Sequence, residues 1–282
     1  MNNLLSLNSL ELLFQLYKRD LNVLNKVDLK IFKGEKIAVV GESGSGKSVM
    51  LRIILGLLNY RNAIIRGDVL FESVNLREKD DYYYRQHIRG KNISMIFQDP
   101  MASLNPVFTI RDQMTNVIKL RDSKLTKNQV EEIANIELNK VSIHDSKRVL
   151  DSYPFQLSGG MAQRVLIVMA LMNSPKLVLA DEPSTALDVT LQKQALELMD
   201  KLTNKVNAAV LLVTHNLGVV REFAERVYVI YKGTIVEEGP VKDIFNNPKH
   251  PYTIALLEAI PRITGSGLPK FDSNPPKYEK IE

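Results

Sequence analysis

A chain of 282 residues that contains no cysteine can bury a full hydrophobic core but cannot form disulfides or thiolate metal sites. Its net charge of +5 comes from lysines and arginines spread along the chain, which favours a mixed solvated surface over a nucleic-acid-binding patch. No apolar stretch approaches the roughly 18 residues of a membrane-spanning helix, and residues 1–14 lack the basic residues of a signal peptide. We therefore expect a cytosolic protein without a nucleic-acid partner.

Short apolar runs predict strands near the beginning of the chain, over residues 10–17, 27–32 and 37–40. A Lys-Gly turn separates the last two, so the chain should begin as an antiparallel lead-in to a buried strand. Further strands are expected at 68–71 and 93–97. The three tyrosines that lie between them are flanked by charged residues, which favours an exposed helix start over a ring-stacking site.

The segment 41–48, GESGSGKS, directly follows the strand at 37–40 and matches the phosphate-loop pattern G-x-x-x-x-G-K-[ST]. Its glycines allow the backbone to turn so that successive N–H groups point at phosphate oxygens. A helix that begins near Lys47 should add its positive dipole end, and the Ser48 hydroxyl should bind Mg²⁺. Phosphate contacts are thus expected from Ser43, Gly44, Ser45, Gly46, Lys47 and Ser48.

Residues 98–165 change from the strand pattern to helices and loops, which predicts a helical subdomain inserted into the strand-rich part of the chain. Thr126 and Gln129 have the spacing of a capping box, and the apolar residues that follow lie on one helical face.

The α/β pattern resumes after this subdomain. Strands are expected at 177–180 and 209–213, with an amphipathic helix between them, and a hairpin is expected over 227–237. Prolines interrupt the pattern from residue 246 onward. They leave one expected helix over 252–260 and a tail that we expect to be mobile.

Two acidic residues, Asp181 and Glu182, end the apolar strand at what should be the carboxyl edge of a sheet, where α/β folds bind ligands. Asp181 is placed to hold Mg²⁺, directly or through water, and Glu182 to polarise the attacking water. Two adjacent carboxylates on a buried strand would be costly without a cation. Taken without the phosphate loop, the same pair could also be an ordinary solvated strand end.

A second hydroxyl-plus-glycine turn lies in the segment 157–164, LSGGMAQR, at the start of an apolar helix. This is an anion-binding geometry, although the pattern alone is not specific. The order of the phosphate loop, Gln98, LSGGMAQR, the strand that ends in the two acids, and His215 resembles the ATP-binding cassette (ABC) ATPases. The resemblance covers roughly residues 5–245. It implies an α/β fold, namely a P-loop NTPase core with an antiparallel β subdomain and an inserted α-helical subdomain.

The resemblance also implies roles for single residues. Gln98 would contact Mg²⁺ and the attacking water, and His215 would contact the γ-phosphate as a switch histidine. Ser158 and Gly160 would bind the γ-phosphate held by the opposite protomer. With Glu182 as the base, the implied catalytic set is Glu182, His215, Gln98 and Lys47, and the implied Mg²⁺ ligands are Ser48, Gln98 and Asp181.

Further positions can be compared with the family. Tyr17 is similar to the aromatic residue that stacks on adenine, although a core tyrosine on an early strand is an alternative. A histidine after a buried strand could likewise have only a structural role. The segment 184–188, STALD, resembles the loop that crosses the dimer interface. Ala162 and Asn216 depart from the residues that the family often has, from which we expect altered rates with activity retained.

Two segments indicate the subfamily. FQDPMASLNP at 97–106 and HPYT at 250–253 look like the ATPase subunits of oligopeptide and dipeptide importers, and nickel importers share much of this pattern. Many relatives also have a cysteine-containing C-terminal region, whereas this chain has no cysteine. The resemblance thus implies a nucleotide-binding domain over 1–245, with its helical subdomain at about 98–165, and a peptide-importer-type extension over 246–282.

The same resemblance implies the partners and the location. The cofactors would be ATP and Mg²⁺, and the second ATPase subunit would complete a heterodimer. Two transmembrane permease subunits and an extracytoplasmic substrate-binding protein would complete an importer at the cytoplasmic face of the cell membrane, with this chain peripheral. The alternatives are an importer for nickel or another small solute, a soluble ABC ATPase of DNA repair or translation, and a regulator that binds nucleotide without hydrolysis.

Overall fold

The structure is a computed structural model that describes residues 2–17, 19–58, 60–183 and 189–259. The expected interface loop at 184–188 and the expected mobile tail beyond residue 259 lie outside the described residues. In the part of the chain that is described, no helix is both long and apolar enough to cross a bilayer.

The described residues form ten strands and eleven α-helices. The strands are β1 (Asn3–Gln15), β2 (Asp20–Phe32), β3 (Lys36–Val40), β4 (Ala63–Phe71), β5 (Val74–Asn75), β6 (Ile93–Ile96), β7 (Leu177–Asp181), β8 (Ala209–Thr214), β9 (Arg226–Tyr231) and β10 (Thr234–Pro240). The helices are α1 (Lys47–Ile54), α2 (Asp81–Tyr83), α3 (Pro100–Ser103), α4 (Ile110–Arg121), α5 (Lys127–Lys140), α6 (Ser146–Asp151), α7 (Gly159–Leu171), α8 (Val189–Val206), α9 (Leu217–Phe223), α10 (Val241–Asn246) and α11 (Pro251–Glu258).

Two sheets form the framework. One is antiparallel with the strand order β2-β1-β4-β5, and the other has the order β10-β9-β3-β8-β7-β6. In the six-stranded sheet β3 lies between β8 and β9 and is parallel to both, while β10 pairs antiparallel with β9 across Lys232 and Gly233, as the predicted hairpin requires. The predicted α/β fold with an antiparallel lead-in is confirmed.

The first two strands are longer than the sequence pattern predicted. Ser9 and Lys26 have positive φ angles of 47° and 46°, and the pairing of β1 with β2 shifts register between Leu7 and Leu10. Such a bulge reverses which residues face the core. The apolar alternation therefore breaks near residue 9, and the pattern revealed only the part of β1 beyond the bulge.

Two hydrophobic cores lie on opposite faces of the six-stranded sheet. Val178 and Ala180 of β7 belong to the core that includes the apolar residues of α4, α5 and α7. Leu177 and Leu179 belong to the core that includes α1 and the antiparallel sheet. Because side chains alternate along a strand, β7 contributes to both cores and is fully buried. This burial fixes the strand end at which the two acids lie.

Helices α3 to α7 occupy the chain between β6 and β7. The predicted capping box of Thr126 and Gln129 is confirmed at the start of α5, and Thr109 and Asp112 form a second box at the start of α4. The domain and subdomain boundaries given above stay predictions.

Candidate nucleotide-binding site

Most of the predicted site residues line one cavity at the carboxyl ends of the parallel strands. The cavity has a volume of about 530 Å³. Its lining residues are Val23, Ser43, Gly44, Gly46, Lys47, Ser48, Val49, Gln98, Glu182 and His215. They come from the loops after β3, β6, β7 and β8 and from β2. Parallel strands bring such loops to one edge of a sheet, which is where α/β folds bind ligands.

The phosphate loop turns through left-handed backbone conformations. Gly44 has a φ of 83° and Gly46 a φ of 99°, and a Cβ on Gly46 would lie 2.6 Å from the side chain of Leu24. Only glycine fits there without strain. Helix α1 begins at Lys47 as predicted, and among the described residues no side chain caps its first turn. The N–H groups at this helix start can therefore bind an anion.

Lys47 is buried and folded back onto its own loop. Its Nζ donates to the carbonyl oxygens of Gly41 at 2.8 Å and Glu42 at 2.7 Å, and lies 3.4 Å from Oγ of Ser45, which is also buried. Burial lowers the pKa of Lys47, whereas the nearby carboxylates of Glu182 and Asp181 act in the opposite direction. An ammonium group at this position favours a bound anion.

Ser48 and Asp181 form the candidate metal site. The Ser48 hydroxyl donates to Oδ1 of Asp181 at 2.8 Å, and Asp181 is only 7% exposed. Burial raises the pKa of Asp181, the Ser48 hydroxyl lowers it, and the charge of Glu182 raises it further. One hydroxyl and one carboxylate suit Mg²⁺, which keeps several waters and is often bound by few protein oxygens together with substrate phosphates. Among the described residues, no group of three or more His, Cys, Asp or Glu side chains is placed to hold a metal ion.

Glu182 is held between Gln98 and His215. The Nε2 atom of Gln98 donates to Oε2 of Glu182 at 3.2 Å, and Nδ1 of His215 lies 2.9 Å from Oε1. The Glu182 backbone has a φ of 46°, a left-handed conformation that costs about 1–2 kcal/mol for a residue with a side chain. Its N–H donates to the Val213 carbonyl at 2.8 Å, which ties this strained position to β8. The arrangement can present one carboxylate to the cavity in a fixed direction.

Ser45 and Asp181 are buried against Lys47 and Ser48 and do not line the cavity themselves. Three other predicted residues lie away from it. Tyr17 is fully exposed in the turn after β1, so the core alternative is wrong. Ser158 and Gly160 lie at the start of α7 and line a different cavity of about 290 Å³, together with Arg164 and Leu191. Within the described residues, Ser158 and Gly160 therefore do not meet the phosphate loop of the same chain.

The two departures from the family pattern have structural roles. Ala162 is fully buried in α7. The Asn216 side chain caps α9 by accepting from the N–H groups of Gly218 and Val219. Neither residue lines the cavity that contains Lys47.

The sequence pattern did not single out Gln163. This residue is 1% exposed, and its side-chain amide donates to the carbonyl oxygen of Pro183, next to Glu182. Its Oε1 atom is buried without a hydrogen-bond partner among the described residues. The available signal was a glutamine on the buried face of an otherwise apolar helix, which is unusual without a specific contact.

A phosphate loop, a hydroxyl–carboxylate pair and an oriented glutamate at the edge of a parallel sheet define a nucleoside-triphosphatase of the P-loop class. The ABC transporter family profile matches residues 24–185, and the profile of the oligopeptide/dipeptide transporter C-terminal region matches residues 236–282. The chain therefore belongs to the ABC transporter family, as an ATPase that binds ATP.

Similar proteins support this assignment. The chain is 45% identical to the oligopeptide transport ATP-binding protein AppD of Bacillus subtilis, over 94% of this chain and 80% of that protein. It is 44% identical to the dipeptide transport ATP-binding protein DppD of the same organism, over 98% and 83%. A dimeric ATP-binding cassette solved in a post-hydrolysis state with ADP and Pi matches with a TM-score of 0.74 and 28% identity, over 84% of this chain and 98% of that one.

Proposed function

We propose that this chain is the ATP-hydrolysing subunit of an importer for oligopeptides or dipeptides. The observation that carries the catalytic part is the position of Glu182, whose two carboxylate oxygens are contacted by Gln98 and His215 in the cavity that also contains Lys47. The match of residues 236–282 to the oligopeptide/dipeptide transporter region, and the names of the relatives, support peptides as the transported solute over nickel.

The polar residues of the cavity have separate tasks in hydrolysis. Lys47 leaves the loop carbonyls and binds the β- and γ-phosphates of ATP, while the loop N–H groups bind the remaining phosphate oxygens. Glu182 accepts a proton from the attacking water, Gln98 orients that water, and His215 contacts the γ-phosphate. Ser48, Asp181 and Gln98 would hold Mg²⁺, which would supply positive charge to neutralise the phosphate oxygens. Tyr17, exposed in the turn after β1, stacks on adenine.

A second ATPase subunit completes the site. Ser158 and Gly160 are exposed or half-buried at the start of α7 and lie away from the Lys47 cavity, so they are available to the γ-phosphate bound by another cassette. The chain carries the residues for one half of each of two shared sites. We propose a heterodimer, with 184–188 at the interface.

The surface that follows Gln98 binds the permease subunits. Its exposed apolar residues are Met101, Val107, Phe108, Tyr153 and Phe155, which we call the apolar patch. The N–H of Ile110 donates to the Ser152 carbonyl at 3.0 Å, which brings the segment that carries Val107 and Phe108 next to the segment that carries Tyr153 and Phe155. Exposed apolar residues of this number at one place favour a protein interface. Two permease subunits and an extracytoplasmic binding protein would complete the importer, with this chain at the cytoplasmic face of the membrane.

The proposal is tested by reconstituting the chain with its partner ATPase, permease and binding protein in vesicles. We expect ATP-dependent uptake of labelled peptide and no uptake of nickel. Phe108→Glu or Phe155→Glu should abolish uptake and permease binding while ATP binding by the isolated chain persists. Ile136→Glu, at a similarly exposed apolar residue of α5, is the control and should leave uptake intact. Nickel uptake, or permease crosslinks confined to residues 246–282, would contradict the proposal.

A further inference from the structure

The phosphate loop is contacted by a residue from the far end of the chain. The phenol oxygen of Tyr252 accepts a hydrogen bond from the backbone N–H of Glu42 at 2.9 Å. Glu42 is the second residue of the loop, and Tyr252 lies in α11, within the region that matches the oligopeptide/dipeptide transporter C-terminal profile. None of the roles proposed above uses this contact.

The contacted peptide unit is held from both sides. Its carbonyl oxygen, that of Gly41, accepts from Nζ of Lys47 at 2.8 Å, while its N–H, that of Glu42, donates to Tyr252. The C=O and N–H of a planar trans peptide point in opposite directions. One rigid plane therefore separates the phenol of Tyr252 from the ammonium of Lys47, and a rotation of this plane would move both hydrogen-bond partners.

The same peptide unit lies against β9. A Cβ on Gly41 would be 2.2 Å from the carbonyl oxygen of Ile230, so only glycine permits this close approach. The next residue of β9, Tyr231, packs its ring on that of Tyr252, with centroids 4.3 Å apart and an angle of 30° between the planes. The end of β9 thus supports both the loop and the ring that contacts it.

The start of α11 is fixed by hydrogen bonds to β10. The carboxylate of Glu237 accepts from the N–H groups of Lys249 at 2.8 Å and His250 at 3.0 Å. His250 then caps the helix, with its Nδ1 accepting from the N–H of Tyr252 at 3.1 Å. The next residue, Thr253, is 1% exposed, so this part of α11 is packed inside the protein. The HPYT motif, which served above only to indicate a subfamily, therefore places one phenol against the phosphate loop.

We propose that Tyr252 is a positioning residue for the phosphate loop, through which the C-terminal region of this chain sets the affinity for ATP. The hydroxyl holds the peptide unit between Gly41 and Glu42 in one orientation. This orientation determines the direction of the Gly41 carbonyl, which accepts from Lys47, and the directions of the loop N–H groups that follow. Those groups bind the phosphates in the ground state and in the transition state alike. Loss of the hydroxyl should therefore weaken binding and leave the turnover of bound ATP unchanged.

The size of the effect follows from the surroundings of Glu42. This residue is exposed, so water can replace the phenol when the hydroxyl is removed. The fold should tolerate the change. We expect the Kd for ATP to rise about 3- to 10-fold, the range that corresponds to one neutral hydrogen bond.

Tyr252→Phe is the decisive variant because it keeps the ring on Tyr231 and removes only the hydroxyl. Tyr231→Phe is its matched control, since the Tyr231 hydroxyl makes no hydrogen bond within the described ranges. We would measure the Kd for ATP by calorimetry, the KM and kcat of the ATPase with its partner subunit, and the melting temperature without nucleotide. For Tyr252→Phe we expect Kd and KM to rise together while kcat and the melting temperature stay at wild-type values. Tyr231→Phe should match wild type in all four.

Three outcomes would overturn the proposal: an unchanged Kd in Tyr252→Phe, equal changes in the two variants, or a fall in melting temperature that accompanies the weaker binding. The proposal rests on ATP hydrolysis at the Lys47 site, and the wild-type protein tests that premise separately. Wild-type turnover that depends on Glu182, with an unchanged Kd in Tyr252→Phe, would reject the role of Tyr252 and leave the proposed function intact.

Discussion

Gln163 on α7 donates its side-chain amide to the carbonyl oxygen of Pro183, the residue that follows Glu182. Both atoms are inside the protein, and Gln163 is 1% exposed. Helix α7 begins beside Ser158, which we assign to the site on the partner subunit, whereas Glu182 serves the site on this chain. One buried hydrogen bond therefore connects the elements that act in two different ATP sites.

Replacing Gln163 by Leu should lower kcat about 3- to 30-fold with little change in the Kd for ATP. The substitution removes the donor to Pro183 and loosens the backbone next to the strained Glu182. It leaves the Pro183 carbonyl without this donor but also removes the buried Oε1 atom that has no partner in the described residues, and because the two effects on stability oppose each other the melting temperature should change little. Steady-state kinetics and thermal unfolding measure the two effects. Gln86→Leu, at an exposed glutamine outside α7, is the control. A lower melting temperature with a normal kcat would show that Gln163 only stabilises the fold.

Glu182→Gln should bind ATP normally and hydrolyse it about 10²- to 10⁴-fold more slowly, because a positioned general base contributes about that much. The amide keeps the size of the side chain and can still contact Gln98 and His215. An ATP-bound dimer should accumulate, which gel filtration with radiolabelled ATP would detect. Hydrolysis near the wild-type rate would remove Glu182 from its role as base.

Asp181→Asn should stabilise the nucleotide-free protein while weakening its use of Mg²⁺. Burial raises the pKa of Asp181, which means that the ionised carboxylate present at neutral pH destabilises the fold. We therefore expect a higher melting temperature for Asp181→Asn than for the wild type at pH 7. The gain in stability of Asp181→Asn over the wild type should be complete at pH values above the raised pKa of Asp181. It should vanish as the pH falls to 3.8, the ordinary pKa of an aspartate. A variant that is less stable than wild type at pH 7 would contradict this assignment.

Ser158→Ala and Lys47→Ala should impair different sites of a heterodimer. Lys47→Ala removes the cation from the phosphate loop of this chain, whereas Ser158→Ala affects the nucleotide held by the partner's loop. Mixing each variant with wild-type partner and counting tightly bound nucleotides separates the two sites. The isolated chain should hydrolyse ATP slowly, with a specific activity that rises with protein concentration. Full activity of the dilute monomer, or loss of the same site in both variants, would contradict the shared-site arrangement.

The parts that the sequence predicted are those determined by neighbours along the chain. The phosphate loop, the strand that ends in Asp181 and the capping box at Thr126 depend on local patterns, and the structure has them where expected. Bulges made the register of β1 unpredictable, because a single residue near Ser9 reverses the alternation.

The contacts that the sequence did not predict join distant segments. Tyr252 contacts Glu42 because hydrogen bonds to Glu237 hold α11 against β10. The hydrophobic periodicity of either segment does not predict this contact. The burial of Gln163 was visible as an anomaly in an apolar helix, but its partner, Pro183, becomes apparent only when α7 packs beside the end of β7.

Because the six-stranded sheet separates the two cores, segments that pack in one core can be exchanged between related proteins without changing the other core. A chimera that takes α3 to α7 from another member of the family must match the face of the sheet to which Val178 and Ala180 contribute. Leu177 and Leu179, one peptide bond away from these residues, would keep their surroundings beside α1 and the antiparallel sheet. The segment from α3 to α7, which includes the surface that we assign to permease binding, can therefore be replaced while the packing behind the phosphate loop stays the same.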